Sequence, residues 1–156
     1  MFENPVSKVE TMVNAMKDLD IIPECECFDT GIVRSIGMYE DVGILKRPYI
    51  VSLVMGVASG MPARKEWLPL LLDELPEGAL WQVIAIGREE VWPLLRHASE
   101  LGGNVRTGLE DTFYLPDGTR ATTNGQLIEA LVKVVRETGR EPATPEETRQ
   151  ILGLDR

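Results

Sequence analysis

Apolar residues along this chain recur with two periods that alternate from one end to the other. Val6, Val9, Val13 and Met16 follow Asn4-Pro5 at helical spacing, which predicts a first helix with Asn4 as its cap, running to about Lys17. Ile21 to Phe28 reads as a strand, with Glu24 and Glu26 on one face and Cys25 and Cys27 on the other. Asp29-Thr30-Gly31 opens a second helix that ends near Gly43, and Pro48 to Gly56 encloses a near-continuous apolar run. Such a run is the pattern of a strand buried on both faces of a parallel sheet. A glycine-rich loop, Gly56 to Pro62, leads to a helix around Trp67 to Leu75, and Pro76-Glu77-Gly78 turns into a strand from Leu80 to Ile86. Gly87-Arg88 begins the next helix, carrying Val91, Leu94, Leu95 and Ala98, and Gly102-Gly103 ends it before a last strand-like run through Asp111. After a Pro116-Asp117-Gly118 turn, Thr123 and Gln126 have capping-box spacing for a helix from Leu127 to Thr138. Thr144-Pro145-Glu146-Glu147 repeats the device for a short C-terminal helix, 145–152.

The order is therefore a helix, four strand-helix units and a terminal helix in one domain, 1–156, an α/β chain with a parallel sheet. Four such units build either a small doubly wound sheet of the flavodoxin kind or half of an eight-stranded TIM barrel, a (βα)4 half-barrel. Spacing alone leaves both open. The placement of ionic residues favours the barrel, because Glu26, Arg106, Glu110 and Asp111 fall at or near the C-terminal ends of their strands, which converge in a barrel mouth.

The run Gly102 to Asp111 concentrates the candidate chemistry. Strand alternation would send Arg106, Gly108 and Glu110 to one face, with Asp111 just past the end. Ionic groups are costly on a buried strand face unless they are paired or bind a ligand, so this cluster reads as a site. The plain alternative is a solvated turn in which Arg106 pairs with one carboxylate. Glu24 and Glu26, side by side, likewise call for a cation or an arginine opposite.

Composition narrows the partners. A net charge of −9 without a basic cluster argues against nucleic acid and against anionic membrane surfaces. No apolar run is long enough to span a bilayer and no basic-then-apolar leader follows Met1, so a cytoplasmic protein is expected. Cys25 and Cys27, one residue apart, suit reduced thiols on one strand face better than a disulfide. With one histidine, His97, and no further cysteine, a Cys/His zinc site cannot be built from this chain alone.

Five segments in order carry a specific likeness: Ile22 to Gly31, Gly56 to Pro62, Gly103 to Asp111, Asn124 to Leu127, and Pro142 to Pro145 with Ile151-Leu152. They resemble the C-terminal half of the β-keto acid cleavage enzymes, the 3-keto-5-aminohexanoate cleavage type. The resemblance implies a zinc-dependent (βα)8 barrel that converts a β-keto acid and acetyl-CoA into a new CoA ester and acetoacetate. It implies Glu110 as a metal ligand, Asp111 as the base, Arg106 as the arginine that orients that base, and Glu26 as the glutamate paired with Arg106 across the mouth. It also implies, more weakly, that Gly56, Gly60, Gly87 and Arg88 line the entry used by CoA. The family's His-x-His metal pair and its first four strands have no counterpart in these residues. A half-barrel would leave strand edges and an inward face open, so the expectation is one of three arrangements: a fragment of a full enzyme, a homo-oligomer, or a half completed by a separate N-terminal half-barrel. A second copy brings no histidine pair, so the alternative to the enzyme is a catalytically incomplete binding or vestigial module.

Overall fold

A computed structural model describes residues 3–154; the outermost residues of the 1–156 domain, Met1 among them, lie outside the described range. The elements follow in chain order. They are α1 (Val6–Asp18), β1 (Glu24–Cys27), α2 (Thr30–Asp41), β2 (Ile50–Met55), α3 (Leu68–Leu72) behind a 3₁₀ turn at Lys65–Trp67, β3 (Leu80–Ala85), α4 (Val91–Glu100), β4 (Asn104–Arg106), α5 (Asn124–Glu137) and α6 (Pro145–Ile151).

All strand pairs are parallel and the order in the sheet is β1-β2-β3-β4. That order decides between the two architectures. A doubly wound sheet reverses its strand order at a switch point and carries helices on both faces. Consecutive right-handed crossovers in one direction put every helix on the same face, which is the arrangement of a segment of a (βα)8 barrel.

The two sheet faces differ accordingly. Cys27, Val51, Leu53, Met55, Val83 and Ala85 point toward the helices and join Val33, Leu68, Leu71, Leu94, Leu95 and Leu127 in one buried core. The opposite face carries Glu24, Glu26, Ser52, Gln82, Asn104 and Arg106, alternating with the core residues. Val54 and Ile84 are buried on that face, outside the core cluster, so β2 is covered on both sides as its apolar run predicted.

Local chemistry accounts for most boundaries. The Asp29 carboxylate caps α2 by accepting from the Ile32 amide at 2.9 Å, and Thr144 and Glu147 form the predicted reciprocal capping box of α6. β1 and α3 are shorter than expected and α5 starts earlier, at Asn124, and three further boundaries also differ. Pro5 rather than Asn4 occupies the cap position of α1 and offers no side-chain acceptor. The helix after β3 begins at Val91 and not at Gly87-Arg88, because Gly87 bridges to Thr112 and its amide donates to the Asp111 carbonyl at 3.2 Å. The last strand stops at Arg106.

At the N-terminal ends of the strands, Glu40 accepts from Arg47 Nε at 2.6 Å and from the Tyr49 hydroxyl at 2.9 Å, tying α2 to the start of β2. The Arg47 guanidinium, helped by Tyr49, holds the Glu40 carboxyl below the usual carboxylate range. A carboxyl with a lowered folded-state pKa stabilises the fold above its unfolded value and loses that contribution as pH falls through the folded one. Glu40→Gln is therefore expected to cost about 1 kcal/mol at pH 7, discounted for partial exposure, with the deficit shrinking by pH 3. Urea unfolding at the two pH values checks this, and an equal deficit at both would refute it. Two surface hollows, of about 190 and 280 Å³, also lie at this end, around Arg47 and Pro48.

Candidate functional site

The ionic cluster lies at the opposite end, where β4 runs out. Strand alternation stops there because the Gly108 carbonyl accepts from two amides, Asp111 at 2.9 Å and Thr112 at 3.0 Å, closing a tight turn over residues 108–112. Glu110 thus belongs to a turn and not to the strand face of Arg106, and the expected alternation of Arg106, Gly108 and Glu110 is corrected on that ground.

The turn still delivers both carboxylates to Arg106. Its Nε reaches Asp111 Oδ2 at 3.2 Å and its terminal nitrogen reaches Asp111 Oδ1 at 2.7 Å, a two-pronged pairing. The same terminal nitrogen reaches Glu110 Oε2 at 3.1 Å. Exposure separates the two acids: the Asp111 side chain is 3% exposed and the Glu110 side chain 84%. Arg106 holds its proton even more firmly than an ordinary arginine, chiefly through the hydrogen bond to Asp111. An ionised carboxylate offers about four lone-pair positions. Two are used by Arg106, so Asp111 keeps sites at which a proton can be accepted.

Glu26 stands apart. Among the described residues Arg106 has Glu110 and Asp111 as its ion-pair partners, and Glu26 acts on it only as a weaker through-space charge. Its neighbour Glu24 finds neutral donors: Oε1 accepts from the Ser52 hydroxyl at 2.6 Å and from the Gln82 amide at 3.0 Å, and Gln82 also donates to Ser52 at 2.8 Å. Glu24 is thus met by a hydroxyl and an amide across β2 and β3, where a cation or an arginine was expected.

The glycine loops serve the backbone. The amides of Gly56, Gly60 and Gly87 donate to the carbonyls of Met61, Val57 and Asp111, so none of the three is a free anion donor. A methyl group at Gly56 would lie 1.9 Å from the Ile86 carbonyl oxygen, and one at Gly60 2.7 Å from that of Phe28. Arg88 remains, exposed, 3.5 Å from Glu89 and stacked 4.2 Å over the Tyr114 ring.

The donor set for a metal is thin. A structural or catalytic zinc site takes at least three protein ligands. Among the described residues no three His, Cys, Asp or Glu groups come together, and Glu110 is the candidate donor in this turn. His97 sits in α4 with Nδ1 3.3 Å from Glu100, away from the cluster. Burial first, then Glu24, pushes the Cys25 thiol up to about 11, and burial, then Cys25 and nearby acids, pushes the Cys27 thiol up to about 12, which keeps both protonated. The residues here do not form a zinc site by themselves.

Two features escaped the sequence. Asn124 Oδ1 accepts from the Leu109 amide at 2.8 Å, a link between positions 15 apart that no local spacing signals. Thr107 carries a buried hydroxyl that has no hydrogen-bond partner among the described residues. An unpaired buried hydroxyl forfeits its solvation, so the isosteric Thr107→Val is expected to raise stability by about 1 kcal/mol, read as a rise of roughly 2–4 °C in Tm. A fall in Tm would show that this hydroxyl is satisfied.

The chain matches the family described as beta-keto acid cleavage enzyme over residues 1–154. It is 34% identical over 154 residues to a 3-keto-5-aminohexanoate cleavage enzyme of Fusobacterium nucleatum, covering 99% of this chain and 56% of that protein. It is 33% identical over 156 residues to a protein of the same name from Acetoanaerobium sticklandii, covering 100% and 57%. To a 3-oxoadipate:acetyl-CoA acetyltransferase of Cupriavidus necator it is 32% identical over 157 residues, covering 99% and 55%. The chain thus spans about half the length of the curated relatives it matches.

Proposed function

This chain belongs to the beta-keto acid cleavage enzyme family, and we propose that its strand ends form one side of an active site that transfers an acyl group between a β-keto acid and acetyl-CoA, giving a CoA ester and acetoacetate. The names of its relatives supply the keto acid and the acetyl-CoA. The observation that carries the reading is Asp111, a nearly enclosed carboxylate gripped at both oxygens by Arg106 at the mouth of consecutive parallel strands.

In this reading Asp111 accepts the proton released when carbon–carbon bond formation begins, and Arg106 pairs with its charge and fixes its direction. Glu26 adds a through-space negative charge near the guanidinium. One guanidinium against Glu26, Glu110 and Asp111 leaves a local charge of −2. Both substrates are anions, so positive charge must come from outside this cluster. Glu110, exposed at the end of the turn, would supply one ligand to a zinc ion, a Lewis acid for the keto oxygen, if other donors came from outside these residues. The exposed positions of the inner face, Glu24, Glu26 and Asn104, and the open edges of β1 and β4 would meet further strands, in keeping with relatives about twice the length that this chain spans.

The competing reading, a binding or vestigial module with no chemistry, draws on the missing donor set. One assay separates them: acetoacetate formation by the intact protein from a panel of β-keto acids, with and without acetyl-CoA. Acetyl-CoA-dependent product supports the enzyme, and its absence across the panel leaves the module.

A further inference from the structure

We propose that Asn124 is a positioning residue of this site, which sets the direction of the Asp111 carboxylate by holding the turn that carries it. The inference rests on the reading of Asp111 as the base.

Turn 108–112 behaves like the first turn of a helix: the Gly108 carbonyl takes the amides of Asp111 and Thr112, and the Leu109 amide has no partner within the turn. Asn124 fills that vacancy from α5. Only the oxygen of its amide group can face an N–H donor, so Oδ1 is the atom turned inward and the NH2 group is turned away.

The holder is itself fixed. Asn124 is the first residue of α5, directly after the Thr123 cap, whose hydroxyl accepts from the Gln126 amide at 3.4 Å. The Gln126 side chain in turn accepts from the Thr122 amide at 2.8 Å. A short path therefore runs from a capped helix start through Asn124 to Leu109, two residues from the base. Gly108 stands between the ends of that path: a methyl group there would lie 3.4 Å from Asn124 Oδ1 and 3.9 Å from Asp111 Oδ2. With the far side of Asp111 fixed by Arg106, the carboxylate is held from two directions, by a cation on its oxygens and by an amide behind its backbone.

The test uses the intact protein with Asn124→Ala, which deletes the acceptor, and Asn124→Asp, which keeps it. Two readouts apply: hydrogen exchange of the Arg106 Nε proton by NMR, and kcat against KM for acetoacetate formation. Asn124→Ala is expected to speed that exchange and to lower kcat, each about tenfold, with KM within twofold, because geometry is lost and binding is kept. Asn124→Asp is expected to restore wild-type exchange. Unchanged exchange in Asn124→Ala overturns the proposal, and so does failure of Asn124→Asp to restore it. If the wild-type protein forms no acetoacetate, the functional reading falls while the exchange measurement still decides whether Asn124 holds the turn.

Discussion

Asp111→Asn is expected to lower acetyl-CoA-dependent acetoacetate formation by about a thousandfold, because it removes the base and keeps its shape. The substitution keeps an oxygen for Arg106 but loses the charge that draws the guanidinium to 2.7 Å. Since Arg106 also touches Glu110 at 3.1 Å, it is not stranded, and the stability cost is about 1–2 kcal/mol. Arg106→Met does the reverse: it leaves a carboxylate that is 3% exposed without a cation. Removing one partner of a fully buried pair costs about 3–5 kcal/mol, and with Arg106 itself about a third exposed the expectation here is roughly 2–3 kcal/mol. The double variant should recover part of that loss, because the neutral asparagine needs no cation. Urea unfolding of the four proteins measures the coupling, and turnover measures the chemistry. Retention of more than a tenth of wild-type turnover by Asp111→Asn would remove it from the role of base. Additive stability losses would mean that the ion pair contributes nothing beyond its two halves.

The strand-helix alternation was legible because the central strands β2 and β3 and the helices α2, α4 and α5 bury apolar positions at their own periods. Strand order was not. It depends on which edges pair across some 25 residues, and the choice between a barrel segment and a doubly wound sheet waited for the parallel pairing of β1 with β2, β2 with β3 and β3 with β4. The site was legible in its residue types and less so in its geometry. Arg106 and Asp111 pair as their types suggested, yet the run to Glu110 reads as strand only until one carbonyl, that of Gly108, takes two amides and turns the chain. Period-two alternation carries no mark of that event. Ser52, hidden in an apolar run, and Gln82 meet Glu24 through pairings between strands, and Asn124 reaches Leu109 from the next helix. Contacts of this kind link positions whose separation follows from the fold.

Gly56 ties this mouth to the stability of the sheet, and Gly56→Ala is expected to cost more than about 4 kcal/mol or to prevent folding altogether. Two penalties act together. The residue sits at φ 103°, where a side chain is strained in any surroundings. A methyl group would also lie 1.9 Å from the Ile86 carbonyl oxygen and 2.9 Å from its carbon. Neither atom can move aside, because the Ile86 amide donates to the Met55 carbonyl at 2.8 Å and so holds the end of β3 against the end of β2. Relief requires parting the two strands at the end where the site lies. Gly43→Ala is the control: its φ is 77° but no atom of the described residues stands within 4 Å, so it should show the conformational penalty alone, about 1–2 kcal/mol. Urea unfolding of both variants separates strain from collision. Equal losses would mean that the strands tolerate a side chain at Gly56; the expected gap would mean that close approach of β2 and β3 fixes this glycine, with no ligand needed to explain it.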